Sequence, residues 1–240
     1  MKYAIIADIH GNLEAFQVVL EDIRAQNATH IVCLGDVVGY NANPKECLQI
    51  VREMNIPCVK GNHDEYCSSD DPLDGFNPHA AEAVHWTREQ LNGEEKTWLS
   101  DLKYSRMAAN FTLVHATLDA PQRWGYVFDK LAAAASFTYQ NTSVCFFGHT
   151  HVPVAFIRDN LVRGGTYSKF KTEAGKKYFV NVGAVGQPRD NNPKTGYVVY
   201  DVDEGTIELR RLEYDIATAQ KKILEAGLPP RLAERLAFGR

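Results

Sequence analysis

Cysteine is scarce and never paired in this sequence. Cys33, Cys47, Cys58, Cys67 and Cys145 lie far apart, with no C-x-x-C spacing and an odd total. That argues against a thiolate zinc site and a disulfide framework, and the expectation is five reduced, mostly buried thiols. Long apolar runs are also missing. No window approaches the roughly 20 apolar residues of a membrane span, and the opening MKYAIIADIHGN holds no long apolar stretch and no small-residue cleavage site. A cytoplasmic location without a membrane partner is expected. Nor is there a basic excess: 26 Lys and Arg stand against 30 Asp and Glu, a formal net charge of −4. Scattered positive charge of this kind does not predict a stable nucleic-acid partner, although a phosphate-bearing small molecule stays open, as does an oligomer. Repeats, linkers and low-complexity tracts are absent too. One domain over residues 1–240 is predicted, with a core over 1–213 and a helical tail over 214–240 split by Gly227-Leu-Pro-Pro230.

What is present is alternation. Tyr3 to Ala7 is a short β-prone run ending at Asp8, and Asn12 to Gln26 then spaces Leu13, Phe16, Leu20 and Ile23 at helical intervals with Asn12 as N-cap. His30 to Leu34 repeats the pattern, passing through GDVVGYNANP to a helix near Pro44 to Met54, and Pro57 to Lys60 leads into GNHDEY. A layered α/β fold follows. The stretch from His79 to Leu102 reads as helical, with Trp86, Leu91 and Trp98 packing. From Asn110 the chain turns strand-rich, in FTLVH, SVCFFGH, VPVAFI, KYFVNVG, GYVVYDV and TIELRRLEY, which predicts a second sheet.

The unusual feature is how the strands end. Asp8-Ile-His10, Gly35-Asp36, Gly61-Asn62-His63-Asp64, Val114-His115 and Gly148-His149-Thr-His151 each close or follow an apolar run. In an open α/β sheet, ligands bind beyond the carboxyl ends of the strands. Of the eight histidines, His10, His63, His79, His115, His149 and His151 fall in or near such loops, whereas His30 and His85 read as structural. Imidazole, carboxylate and one carboxamide, without thiolate, suit Mn, Fe, Zn, Ni or Co. Seven candidates are too many for one ion. Two ions about 3.5–4 Å apart, bridged by a carboxylate, would use them all, and Asp36, alone in its loop, is the natural bridge.

In this order the motifs D-x-H, G-D, G-N-H-D, H and G-H-x-H resemble those of the calcineurin-like metallophosphoesterase superfamily, over residues 3 to about 200. The resemblance implies a four-layer α/β/β/α sandwich of two mixed β-sheets flanked by helices, here with a C-terminal helical tail, and a dimetal centre at one edge. By motif position it assigns Asp8, His10, Asp36 and His151 to the first metal and Asp36, Asn62, His115 and His149 to the second, with Mn or Fe favoured. It implies phosphoester hydrolysis by a metal-bridging hydroxide. His63 would face the substrate, protonated, and pass a proton to the leaving oxygen, with Asp64 orienting its ring.

The substrate is harder to read. Gly35-Asp-Val-Val-Gly-Tyr-Asn41 lacks the arginine of the similar protein-phosphatase motif, so a phosphomonoesterase or protein phosphatase is the lesser reading. The run Asn181-Val-Gly-Ala-Val-Gly-Gln-Pro-Arg-Asp190 looks more like the small prokaryotic phosphodiesterases and diadenosine-tetraphosphatase-like members. A phosphodiester or a dinucleoside polyphosphate is therefore expected. Arg189 either grips an anion or pairs with Asp190 or another acid. Trp124 or Tyr126 either stacks on a base or anchors its loop, and Tyr40 and Asn41 are candidates for the pocket wall. Residues 65–78 form a lid or a solvated loop, and Asp201 to Arg211 with the tail residues Lys221, Lys222, Arg231 and Arg235 read as solvated faces. A non-catalytic metal-binding scaffold is the rival of another class. Finally, residues i and i+2 of an extended segment project to one side about 6.6 Å apart. On that basis His149 and His151 form a fork, one ring for each ion.

Overall fold

The computed structural model describes residues 1–240. Its elements in chain order are β1 (Lys2–Ile6), α1 (Leu13–Ala25), β2 (His30–Cys33), α2 (Pro44–Glu53), α3 (Asn62–Ser68), α4 (Pro78–Gln90), α5 (Gly93–Ser100), β3 (Ser105–Ala108), β4 (Phe111–Val114), α6 (Lys130–Tyr139), β5 (Val144–Phe147), β6 (Val154–Arg158), β7 (Val162–Gly165), β8 (Lys169–Lys171), β9 (Lys177–Asn181), β10 (Thr195–Asp201), β11 (Thr206–Leu212), α7 (Ile216–Glu225) and α8 (Pro230–Glu234). They make two mixed sheets, ordered β2-β1-β10-β11-β8 and β3-β4-β5-β9-β6-β7. No helix is long and apolar enough to cross a membrane.

The layering follows from the two-residue period of a strand. Along β1, Ala4 and Ile6 face α1 and α2 in one apolar cluster, while Tyr3, Ile5 and Ala7 face the other sheet in a second. Along β5, Val144 and Phe146 enter that same inter-sheet cluster, and Cys145 and Phe147 pack with Ala133 and Phe137 of α6. Both central strands are apolar on both faces, so each sheet is covered twice and the order is helices, sheet, sheet, helices. The expected sandwich is present.

Several predicted details shift. Asn12 caps α1 as expected, accepting from the Ala15 N–H at 3.1 Å. Pro57 to Lys60 makes only single bridges, Cys58 to Cys33 and Val59 to Lys103, and not a strand. The predicted helix over His79 to Leu102 is two helices. Asn92 and Glu95 form a capping box that starts α5, which stops α4 before it. GNHDEY is the first turns of α3, and the segment after it is tied down, with Phe76 packed on Tyr66 and the Asp71 carbonyl accepting from Arg88 Nη2 at 2.8 Å. All five cysteines are buried and free. Among the residues read as solvated, Arg210 pairs with Asp22 at 3.0 Å, Arg211 with Asp190 at 3.0 Å, and Lys222 with Glu14. The tail packs Ala219, Ile223, Leu228, Leu232, Ala233 and Leu236 onto Tyr40, Ala80 and Ala83.

One contact locks the strand ends to each other. Gly186 donates to the Asp8 carbonyl at 2.8 Å and accepts from Asn12 Nδ2 at 2.8 Å. A Cβ on Gly186 would stand 1.9 Å from the Ile9 oxygen. Backbone cannot yield as a flexible side chain can. Gly186→Ala is therefore expected to cost about 3 kcal/mol, read as a fall in the denaturant midpoint at constant slope; an unchanged midpoint would remove this account.

Candidate metal centre

The loops after β1, β2, β4 and β5 and the start of α3 meet at one edge of the sandwich, stitched together by backbone bonds. Asp8 N–H donates to Gly35 O at 3.0 Å, His10 N–H to Asp36 O at 2.9 Å, and Gly148 N–H to His115 O at 2.9 Å. Asp8, His10, Asp36, His149 and His151 all adopt left-handed backbone conformations, with φ of 54°, 48°, 54°, 66° and 60°. Non-glycine residues rarely do so, and clusters of them mark sites where the surrounding structure imposes geometry. Here it turns each side chain inward immediately after its strand.

Two ligand groups result. Asp8, His10, Asp36 and His151 form one and Asp36, His115 and His149 the other, with candidate ligand atoms within 4.8 Å of one another in each. Asp36 belongs to both: its Oδ2 stands 3.4 Å from His10 Nε2 and 3.4 Å from His115 Nε2. Asn62 joins the second group, its Oδ1 3.2 Å from His115 Nε2. The seven sequence-predicted ligands are thus brought together. The fork at the end of β5 has a different origin from the one expected, because β5 stops at Phe147 and both histidines sit in left-handed turns. The rings still diverge, His149 Nδ1 to 3.1 Å from His115 and His151 Nε2 to 3.2 Å from His10. Thr150 turns into the loop support, within 3.0 Å of Asn181 Nδ2.

The hydrogen-bond pattern tests whether cations fit. His10 Nδ1 lies 3.0 Å from Val38 O, His115 Nδ1 2.8 Å from Leu34 O, His151 Nδ1 2.6 Å from Gln187 O and His149 Nε2 2.9 Å from Trp124 O. Each carbonyl requires an N–H, so His10, His149 and His151, kept neutral by burial, turn a bare nitrogen inward, and His115 does the same once a cation displaces its inner proton. Buried lone pairs and two carboxylates then converge, an arrangement that positive charge, as protons or metal ions, makes favourable.

The electrostatics agree. Burial holds His10 and His151 well below the usual imidazole range and His149 down to about 3. Burial lifts the Asp8 carboxyl to about 8, and the Asp36 charge adds to it. His115 goes the other way: burial pulls it down, but Asp36 outweighs burial and raises it to about 10. The space between Asp36 and His115 favours a positive charge, which a metal ion supplies as well as a proton does.

His63 lies outside both groups. Its N–H donates to Asp36 Oδ1 at 2.8 Å, and its ring packs 4.3 Å from Tyr40 and 4.8 Å from His10. Nδ1 has no partner. Burial lowers it to about 4, so the ring is neutral before an anion stands beside it. Asp64 does not orient that ring. Its carboxylate accepts from the N–H groups of Asp36 at 2.8 Å, Val37 at 2.9 Å and Gly61 at 3.0 Å, holding the Asp36 loop against the start of α3. Gly61 must be glycine there, since a Cβ would lie 2.1 Å from Asp36 Oδ1.

A chamber of about 220 Å³ opens beside the second group, lined by Asn62, His63, His149, Tyr40, Trp124 and Tyr126 among others. Tyr40 lines it as expected. Asn41 does not: it is buried, its Nδ2 donating to His10 O at 2.8 Å. Trp124 supplies both a ring in the wall, 5.7 Å from His115, and the carbonyl that fixes His149. Tyr126 stacks on His149 at 4.3 Å. Arg189 has no acidic partner, because Asp190 pairs with Arg211; its Nη2 donates to Gln187 Oε1 at 2.7 Å and its guanidinium lies 5.5 Å over Tyr40. Gln187 therefore holds both His151 and Arg189, a role with no sequence signal beyond its place two residues before an arginine.

The model of the calcineurin-like phosphoesterase superfamily domain matches residues 1–205. An uncharacterized protein of Methanocaldococcus jannaschii is 38% identical over 243 residues, spanning 99% of this chain and 98% of that one. A crystal structure of a metallophosphoesterase from Sphaerobacter thermophilus is 38% identical, with a TM-score of 0.87 over 100% of this chain and 99% of that one. A hypothetical protein from Pyrococcus horikoshii, at 18% identity and a TM-score of 0.81 over 100% and 98%, shares the fold. With a matching family model over most of its length and a solved relative at this identity, the chain belongs to the calcineurin-like phosphoesterase superfamily.

Proposed function

We propose that this phosphoester hydrolase acts on a nucleotide-type phosphodiester or polyphosphate at a two-metal centre, held by Asp8, His10, Asp36 and His151 on one side and Asp36, Asn62, His115 and His149 on the other. The sharing of Asp36 between two buried ligand groups is the observation that carries this reading. Nitrogen and oxygen donors without thiolate suit manganese, iron, zinc, nickel or cobalt, and the family resemblance favours manganese or iron among them. Bound cations would supply a nucleophile near neutral pH and neutralise phosphoryl oxygens.

The chain's own groups do the rest. Asn62 and His149 form the chamber side of the centre, so a phosphoryl group enters past them. His63 faces that group from the same wall. An anionic phosphoryl oxygen beside its ring favours the imidazolium, which then delivers a proton to the leaving oxygen. Arg189, free of acids and steadied by Gln187 and Tyr40, meets a non-bridging oxygen. Asp64 fixes the Asp36 loop and takes no part in proton transfer. A chamber of about 220 Å³ suits a small substrate better than a phosphorylated protein segment.

A manganese-supplemented screen tests the reading. Bis(p-nitrophenyl) phosphate and dinucleoside polyphosphates are expected to turn over, phosphopeptides not, and chelation is expected to abolish the activity. Two bound ions with no turnover of any phosphoester would turn the assignment into a metal-binding scaffold.

A further inference from the structure

We propose that the C-terminal segment builds a second anion subsite, through which this enzyme selects substrates carrying a chain of several phosphates over simple phosphodiesters. The proposal rests on the hydrolase reading and names its substrate class. Beyond the chamber lies a cavity of about 520 Å³ that shares Tyr40, Asn77, Ala80 and Tyr126 with it. Four arginines line that cavity, Arg189 from the loop after β9 and Arg231, Arg235 and Arg240 from the tail, against one acidic side chain, Glu234, and the carboxylate of Arg240.

Two observations separate this cluster from an ordinary solvated face. The ion pairs made by arginine elsewhere in the chain belong to Arg163, Arg210 and Arg211, so none of the four cavity arginines meets a carboxylate side chain. Their partners are Gln187 Oε1 for Arg189, Asn191 Oδ1 for Arg240 and a terminal carboxylate oxygen of Arg240 for Arg235, which leaves Arg189 and Arg231 as the guanidinium groups that meet no anion. In a chain of net charge −4, four guanidinium groups gathered about one cavity repel one another, and burial and Arg189 together pull Arg235 down to about 10. An anion entering the cavity relieves that repulsion and accepts forked, charge-assisted hydrogen bonds. Packing does not demand the arginines either. Leu232, Ala233 and Leu236 hold the tail to the body, while Arg231 and Arg235 line the opening.

The order along the cavity sets the substrate class. The reacting phosphoryl lies at the chamber beside His63, Arg189 stands at the junction over Tyr40, and Arg231 and Arg235 lie further out. A polyphosphate chain spans that path. A lone diester stops short of it.

The test compares manganese-loaded wild type with Arg231→Glu and Arg235→Gln, using diadenosine tetraphosphate and bis(p-nitrophenyl) phosphate. The ratio of their kcat/KM values is expected to fall about tenfold or more in each variant, through KM of the polyphosphate. Arg231 is exposed, so its reversal spares the fold even where Arg235→Gln does not. A ratio equal to wild type, or a parallel loss on both substrates, overturns the subsite. If wild type hydrolyses neither compound, the hydrolase reading fails separately. The subsite is then read by calorimetric binding of inorganic tripolyphosphate. Tenfold weaker binding by Arg231→Glu upholds it, and equal binding overturns it.

Discussion

Asp36→Asn is expected to bind less than two equivalents of metal and to hydrolyse bis(p-nitrophenyl) phosphate about 100 to 1,000 times more slowly than wild type. The geometry makes asparagine worse than a lost charge. Oδ1 of Asp36 accepts from the His63 N–H, so an amide keeping that bond directs its NH2 to the Oδ2 position, 3.4 Å from both His10 Nε2 and His115 Nε2. Two N–H donors then meet the bare nitrogens where cations would stand. Both ions suffer, because both groups contain this one side chain. The substitution is isosteric, so the melting temperature of the metal-free protein checks that the fold survives. Elemental analysis after gel filtration decides the matter, and two ions at full occupancy would dismiss Asp36 as the bridge.

His63→Ala is expected to give the opposite dissociation: metal content retained, kcat reduced about 10²–10⁴-fold. Its ring is in neither ligand group, and the backbone bond to Asp36 Oδ1 survives any substitution except proline. What disappears is the ring at the chamber wall. The loss should grow with the pKa of the leaving alcohol, because p-nitrophenolate departs with little help and an alkoxide does not. A kcat near wild type with p-nitrophenyl and alkyl esters alike would sink the proton-delivery role. An equal, large loss on both would reassign His63 to binding a phosphoryl oxygen.

The sequence carried the centre because each ligand directly follows or ends a short apolar run, a local pattern that needs no knowledge of the partner strands. The same locality explains what was missed. Asp64 lies beside His63 in sequence, yet it serves backbone N–H groups of Asp36 and Val37, donors that no residue pattern advertises. Asn41 looked like pocket lining from its closeness to Asp36, but a positive φ at Tyr40 turns the ring to the chamber and Asn41 to His10. Arg231 is exposed as read, whereas Arg235 is half-buried because a tail that folds back onto α4 and Tyr40 sets its surroundings, a contact between distant segments. The short strands β3, β7 and β8 sit at or beside sheet edges, where exposure removes the apolar alternation that reveals a central strand.

The left-handed backbone at positions 8, 10, 36, 149 and 151 carries a consequence for substitution. Glycine adopts that conformation at no steric cost, whereas histidine gives up about 1 kcal/mol or more to hold it. Glycine at positions 10, 149 or 151 would remove that backbone cost, yet it would also orphan the carbonyls of Val38, Trp124 and Gln187 that the rings now satisfy. The same hydrogen bonds that aim each imidazole also hold the strained turn in place, so the backbone tolerates its conformation only while the histidine is there.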